Sequence, residues 1–297
     1  LNATTSLFPL AIILSCFTVL LAITAFLIVR FGGVWDDARS IFMVLLLLFF
    51  AISVSFDGLC LSDPFVAVVA LTGGFLFAVV ITEAILWSLK IRLAIRFRAP
   101  YYLMLGLCFL YPLLFAARDS WFREFEPFWL LVLFPLVSAV AMLSLLPAVR
   151  AGSKLVSENG TPWKWPLFPW SIFFLLVVGL IGKSALMCLS FEPSPGWGSI
   201  FGPYFMVPIF LATIVLLFEM GAVEVARRSS SGVRNAALTC SLLAVPMSMS
   251  WPASAVATEF LETFTLTIAS PLWLTLAALV LFYALVWWRG YDSEGVL

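Results

Sequence analysis

Apolar residues along this chain do not recur at the period of a soluble amphipathic helix or a strand. They run unbroken for membrane-length stretches, and the polar residues collect between the runs. A spanning helix needs roughly 20 apolar residues at about 1.5 Å rise each. Nine stretches meet that need: Leu7 to Val29, Ala38 to Phe56, Pro64 to Leu89, Pro100 to Ala117, Pro127 to Val149, Pro166 to Ser190, Gly202 to Ala226, Arg234 to Val256 and Ile268 to Trp288. The eighth is the least apolar and contains Pro246 and Pro252. Pro112, Pro135 and Pro208 also fall inside spans and are expected to kink them. A bundle tolerates this because neighbouring helices resatisfy the freed carbonyls. The first run lacks a basic flank and a small-residue cleavage pattern, so it reads as a retained helix rather than a signal peptide.

The connections give these spans a direction. Successive loops hold Arg30 and Arg39, then none, then Lys90, Arg92, Arg96 and Arg98, then Arg118 and Arg123. The later loops hold Arg150, Lys154 and Lys164, then none, then Arg227, Arg228 and Arg234, then none, with Arg289 last. Alternate connections therefore hold thirteen of the sixteen Lys and Arg residues, the opposite set holds two, and Lys183 lies within a span. The positive-inside rule assigns the rich set to the cytoplasm. The expectation is an all-α polytopic membrane bundle of about nine transmembrane helices, N-terminus outside and C-terminus cytoplasmic, in a plasma membrane and by preference a bacterial inner membrane. Trp and Tyr at span ends, among them Trp35, Trp87, Trp163 and Trp288, read as an interfacial aromatic belt.

The whole of 1–297 reads as one integral-membrane domain, since no connection is long enough for a soluble domain. Ser55-Phe56-Asp57 ends the second span and Ser190-Phe191-Glu192 the sixth. Each is followed by an outer turn and a helix with a late Glu, Glu83 or Glu219. That allows a parallel repeat of four helices, about 7–117 and 127–256, with a ninth helix at 268–288.

Composition agrees with the pattern: 63% of residues are hydrophobic and 11% charged, with 29 Phe and 12 Trp. A soluble chain of this length needs more polar surface. The bilayer is the expected partner, with other membrane subunits as further candidates. No basic patch points to nucleic acid. His is absent, which excludes His-ligated haem, HExxH metalloprotease chemistry and Ser-His catalysis. No two of the five cysteines form a CxxC pair, so zinc-ribbon and thioredoxin-type readings fail. Cys60 and Cys188 both lie toward the outer face, where a disulfide between them is allowed. No cofactor and no catalytic residue are assigned.

Intramembrane ionisable residues carry the candidate chemistry, because each costs about 2.5–3.5 kcal/mol at a helix centre and is kept for a reason. The transport or proton-site candidates are Glu219, Glu83, Lys183 and Glu224. In the bland reading, Glu83 and Glu224 pair with cytoplasmic Arg or Lys, and Lys183 snorkels outward toward Glu192 or Asp57. In the sharp reading, Glu83 and Glu219 face one another across a polar cavity. Asp36 and Asp37 are metal candidates, since paired acids hold Mg²⁺ with a phosphate substrate, although two acids at a helix start also suit its dipole. The leading expectation is a transporter-like or channel-like membrane component. The alternatives are a membrane-embedded enzyme acting on a lipid-linked phosphate and a structural or assembly subunit.

Overall fold

The computed structural model describes residues 3–117, 127–156, 161–163, 167–191, 197–228, 232–250, 252 and 254–294. These residues are helical almost throughout, and no strand occurs among them. Eight helices among them are long and apolar enough to cross a membrane. The chain divides into two compact units, Leu1–Pro193 and Ser194–Leu297.

The first unit contains α1 (Ala3–Leu27), α2 (Trp35–Ser55), α3 (Pro64–Ser88), α4 (Ile95–Leu110), α5 (Pro127–Leu143) and α6 (Leu167–Ser190). Short helical turns at Leu59–Ser62, Leu113–Ala116 and Leu146–Ala151 extend α2, α4 and α5. Over half of the α2 and α4 spans is buried, 56% of each, against 17% for α1 and 22% for α3. So α2 and α4 form the centre, with α6 packed on both, and α1 presents most of its apolar surface outward. Exposed Ile12, Ile13 and Leu20 on α1 suit a lipid solvent.

Side-chain contacts fix the relative helix directions. Ser53 near the end of α2 donates to the Cys108 carbonyl near the end of α4, so these two run parallel. Thr82 late in α3 meets the Tyr101 hydroxyl early in α4 at 3.1 Å, so α3 runs against α4. Tyr111, just past α4, donates to the Leu130 carbonyl early in α5 at 2.6 Å, so α5 also runs against α4. At the starts of α2 and α6, the Trp163 indole donates to the Trp35 carbonyl at 3.2 Å. Phe42 and Phe168 complete that aromatic cluster. Trp163 is therefore a buried packing residue rather than a member of an exposed belt. Further along, Phe50 lies against Gly179, where an added Cβ would sit 2.0 Å from the ring. Thus α2 and α6 run the same way at close approach.

The second unit contains α7 (Pro203–Arg228), α8 (Gly232–Ser241), α9 (Ala244–Ser248), α10 (Ala255–Thr267) and α11 (Pro271–Glu294). Here the eighth apolar stretch differs from the expected single helix. It folds as α8 and α9 with a turn between, held by Leu243 N–H to the Cys240 carbonyl at 2.9 Å. Pro246 explains the break: it lacks an N–H, and its ring excludes the carbonyl four residues earlier, that of Leu242. Neither piece alone reaches spanning length, so this stretch is not among the eight. The two pieces nonetheless run back along α7. A Cβ on Gly221 would lie 2.5 Å from the Arg234 nitrogen. Ile214 and Phe218 pack on Ala237, and Val207 packs on Ala244. Helix α11 returns beside both, through Leu279 and then Phe282. The amphipathic α10 was not anticipated from hydropathy: it buries Ala257, Phe260, Leu261 and Phe264 and exposes Glu259 and Glu262. Ser254 caps it by accepting from the Ala257 N–H at 3.1 Å.

All five cysteines are free thiols, Cys60 and Cys188 included, so the disulfide allowed by sequence does not form in this structure.

Candidate functional site

Lys183 is where the structure departs most from the sequence reading. It does not snorkel: its side chain is 1% exposed and its partner Asp57 is 0% exposed. The Lys183 ammonium donates to both carboxylate oxygens of Asp57, at 2.6 and 2.8 Å, and to the Ser53 hydroxyl at 2.8 Å. The Ser53 hydroxyl in turn donates a hydrogen bond to the Cys108 carbonyl at 2.6 Å. Every ammonium proton has an acceptor, and α2, α4 and α6 are joined at one buried point.

The local sequence builds this point in steps. Phe50, Ser53 and Asp57 follow a spacing of three and four, which puts them on one face of α2. Gly179 and Lys183, four apart, share one face of α6. Glycine at 179 lets the Phe50 ring approach the α6 backbone, and one turn later that close approach brings Lys183 within reach of Ser53 and Asp57. The chain tightens as it passes the carboxylate: Asp57, Leu59 and Cys60 N–H groups bond to the carbonyls of Val54, Phe56 and Asp57, three residues back in each case. Leu59 and Cys60 beyond it are buried again. Asp57 therefore lies inside the span Arg39–Ser62 rather than at its outer end. Just beyond the end of α6, Phe191 stacks on Phe115 with centroids 4.1 Å apart, closing the same region.

A second polar cluster joins α3 and α4. The Arg98 Nε donates to Glu83 Oε1 at 2.8 Å, the Arg98 Nη2 pairs with Glu83 Oε2, and the Tyr102 hydroxyl donates to the same carboxylate. Its members are partly open, 41% for Arg98 and 33% for Glu83, so removing one partner should cost less than in the buried pair, where the charge left behind is cut off from water. The expected pairing of Glu83 with a basic residue is present, and the partner is Arg98.

Glu219 is buried on α7 in the second unit and is engaged there. Glu83 belongs to the first unit. Glu224 lies on α7, and Asp36 and Asp37 open α2; their side chains lie outside the described residues. No group of three or more His, Cys, Asp or Glu among the described residues could hold a metal ion.

Sequence reasoning missed Ser53, and it named Asp57 only as a counter-ion at the surface. The usable signal was "FDGLCLS": apolar residues resume after Asp57, so the span had not ended there.

Comparison with known proteins finds no matching family model, no matching curated protein and no matching solved structure.

Proposed function

We propose that this chain is a transporter-like component of a plasma membrane, and that the Asp57–Lys183 pair is its charge-coupled joint. The observation that carries the reading is a complete ion pair buried between membrane-length helices. Ionisable side chains at such depth belong to proton relays and ion paths more often than to packing. A proton taken by Asp57, or an ion competing for either partner, removes the attraction that holds α2 to α6. The joint then has two states, which is what alternating access requires. Ser138 and Ser184 favour a second arrangement: both hydroxyls are buried without a partner among the described residues, at a cost of about 1–3 kcal/mol each.

The topology that goes with this reading has nine crossings, the N-terminus outside and the C-terminus in the cytoplasm. The α8–α9 pair supplies the ninth. Together its 17 residues, 232–248, reach about 25 Å, and its contacts with α7 extend from Gly221 to Val207, about 21 Å.

Proteoliposomes carrying a pH-sensitive dye test the function. Imposed proton gradients should dissipate faster with the wild-type chain than with Asp57→Asn. Cys60, buried one turn beyond Asp57, should gain maleimide reactivity as the lumen is acidified. Wild-type flux equal to that of empty liposomes, together with a Cys60 protected at every pH, sinks the transport reading. That result would favour the structural subunit, which the complete satisfaction of the Lys183 ammonium also suits.

A further inference from the structure

At the other end of α2 from the ion pair, the first unit carries an open recess of about 660 Å³. We propose that it binds the phosphate headgroup of an anionic phospholipid. Its rim holds Arg30, Lys90 and Arg92, and its walls are Phe26, Leu86 and Ile91. Among the described residues no carboxylate lines it. Among the described residues none of the three cations has an ion-pair or hydrogen-bond partner. Three unneutralised cations around one concavity attract a phosphate.

The backbone is shaped to make this recess. Helix α1 ends in a π-helical turn, Ile28–Gly32, which carries Arg30 and closes at Gly33 with φ 66°. Such wide turns are rare and gather at functional sites. After α3 the chain reverses with Lys90 at φ 56°, the one non-glycine residue with positive φ among those described. A lysine seldom adopts that conformation, and it persists only where its surroundings impose it. The two irregularities bring Arg30 from the end of α1 and Lys90 with Arg92 from beyond α3 to one recess.

Two features choose a lipid over a free phosphate. Phe26 and Leu86 of the apolar walls belong to α1 and α3, the two least buried spans of the unit, so acyl chains can continue along the outward faces of both helices. Trp87 also lines the recess and is 86% exposed at the end of α3, where an indole sits at headgroup level. The three cations belong to the loops that the positive-inside rule places at the cytoplasmic leaflet, the leaflet rich in anionic lipid.

Native mass spectrometry of the purified full chain, titrated with phosphatidylglycerol or phosphatidylcholine of matched chains, tests the site. The wild type should retain phosphatidylglycerol preferentially. The triple variant R30Q/K90Q/R92Q should lose affinity for it on the order of a hundredfold, and Arg96→Gln, a nearby cation that does not line the recess, should bind as the wild type does. All three replaced side chains are exposed, so the variant should stay monodisperse; if it does not, Arg92→Gln alone carries the test with a smaller loss. Equal retention of the two lipids, or a triple variant that binds like the wild type, overturns the proposal. Displacement of phosphatidylglycerol by millimolar glycerol 3-phosphate or inorganic phosphate also overturns it, in favour of a soluble phosphate ligand. Because the readout is lipid binding, it stands or falls apart from the transport reading.

Discussion

Replacing Lys183 with Met removes the cation that lies beside Asp57, the only one there among the described residues. The change deletes hydrogen bonds of 2.6, 2.8 and 2.8 Å in one step. Ser53 keeps its bond to the Cys108 carbonyl, so the loss concentrates on Asp57, a carboxylate left with no solvent access and no counter-ion. Stranding one member of a buried pair destabilises by about 3–5 kcal/mol. Asp57→Asn strands the ammonium instead and should cost a similar amount, although the amide oxygen still accepts one proton. The double variant D57N/K183M removes both charges and should recover most of the loss, since a buried pair replaced by neutral groups is close to neutral in stability. The assay is equilibrium unfolding in mixed micelles, read as a double-mutant cycle: two single losses of about 3–5 kcal/mol each and a near-neutral double variant give a coupling of more than about 5 kcal/mol, beyond the roughly 0.5–3 kcal/mol usual for residues in contact. If Lys183→Met costs less than about 1 kcal/mol, or if the double variant is as unstable as the two single losses combined, the reasoning fails.

Gly179→Leu should be more damaging than Gly179→Ala, and both should destabilise, because even a methyl there overlaps the Phe50 ring; unfolding midpoints of the two variants check the order. Gly221→Val meets the Arg234 backbone rather than a movable ring, so it should disrupt the α7–α8 hairpin and lower the yield of folded protein; a normal yield and gel-filtration profile would contradict that packing. Arg98→Gln should cost roughly 1 kcal/mol or less, since the Glu83 pair is partly exposed; a loss as large as that of Lys183→Met would rank the two clusters wrongly. Glu219→Gln should keep the fold and abolish proton-linked flux if Glu219 is a coupling carboxylate; unchanged flux removes it from the candidates. Cysteines introduced near Arg96 and near Ser62 should label from opposite sides of the membrane, and labelling from one side would overturn the topology.

Much of the architecture was legible because hydropathy and loop charge act on whole spans. The eight long helices fall where the apolar runs fall, and α2, α4 and α6 share the direction that alternating loops require. What could not be read is set by single contacts. Asp57 looked like the end of a span because a charge usually ends one; the apolar residues after it were the counter-signal, and the burial of Leu59 and Cys60 shows that the span runs on past it. Lys183 looked like a snorkelling residue because depth in a lone helix says nothing about a neighbour. Its neighbour is decided at Gly179: a glycine within a span marks a close approach between helices, as with Phe50 here, but does not say which helix approaches. Helix α10 escaped because its apolar residues are spaced for one face and form no continuous run.

The pair also has a history within each molecule. Asp57 and Lys183 are 126 residues apart in the chain. At about 5–20 residues per second of synthesis, the carboxylate is made roughly 6–25 s before the lysine that neutralises it. During that interval α2 cannot settle in its final place without exposing a bare charge to hydrocarbon. The insertion machinery must hold it beside water or protein while four further spans emerge. The joint between α2 and α6 thus cannot close before α6 arrives, and it is the last of the first unit's long helices that answers the charge carried by its second.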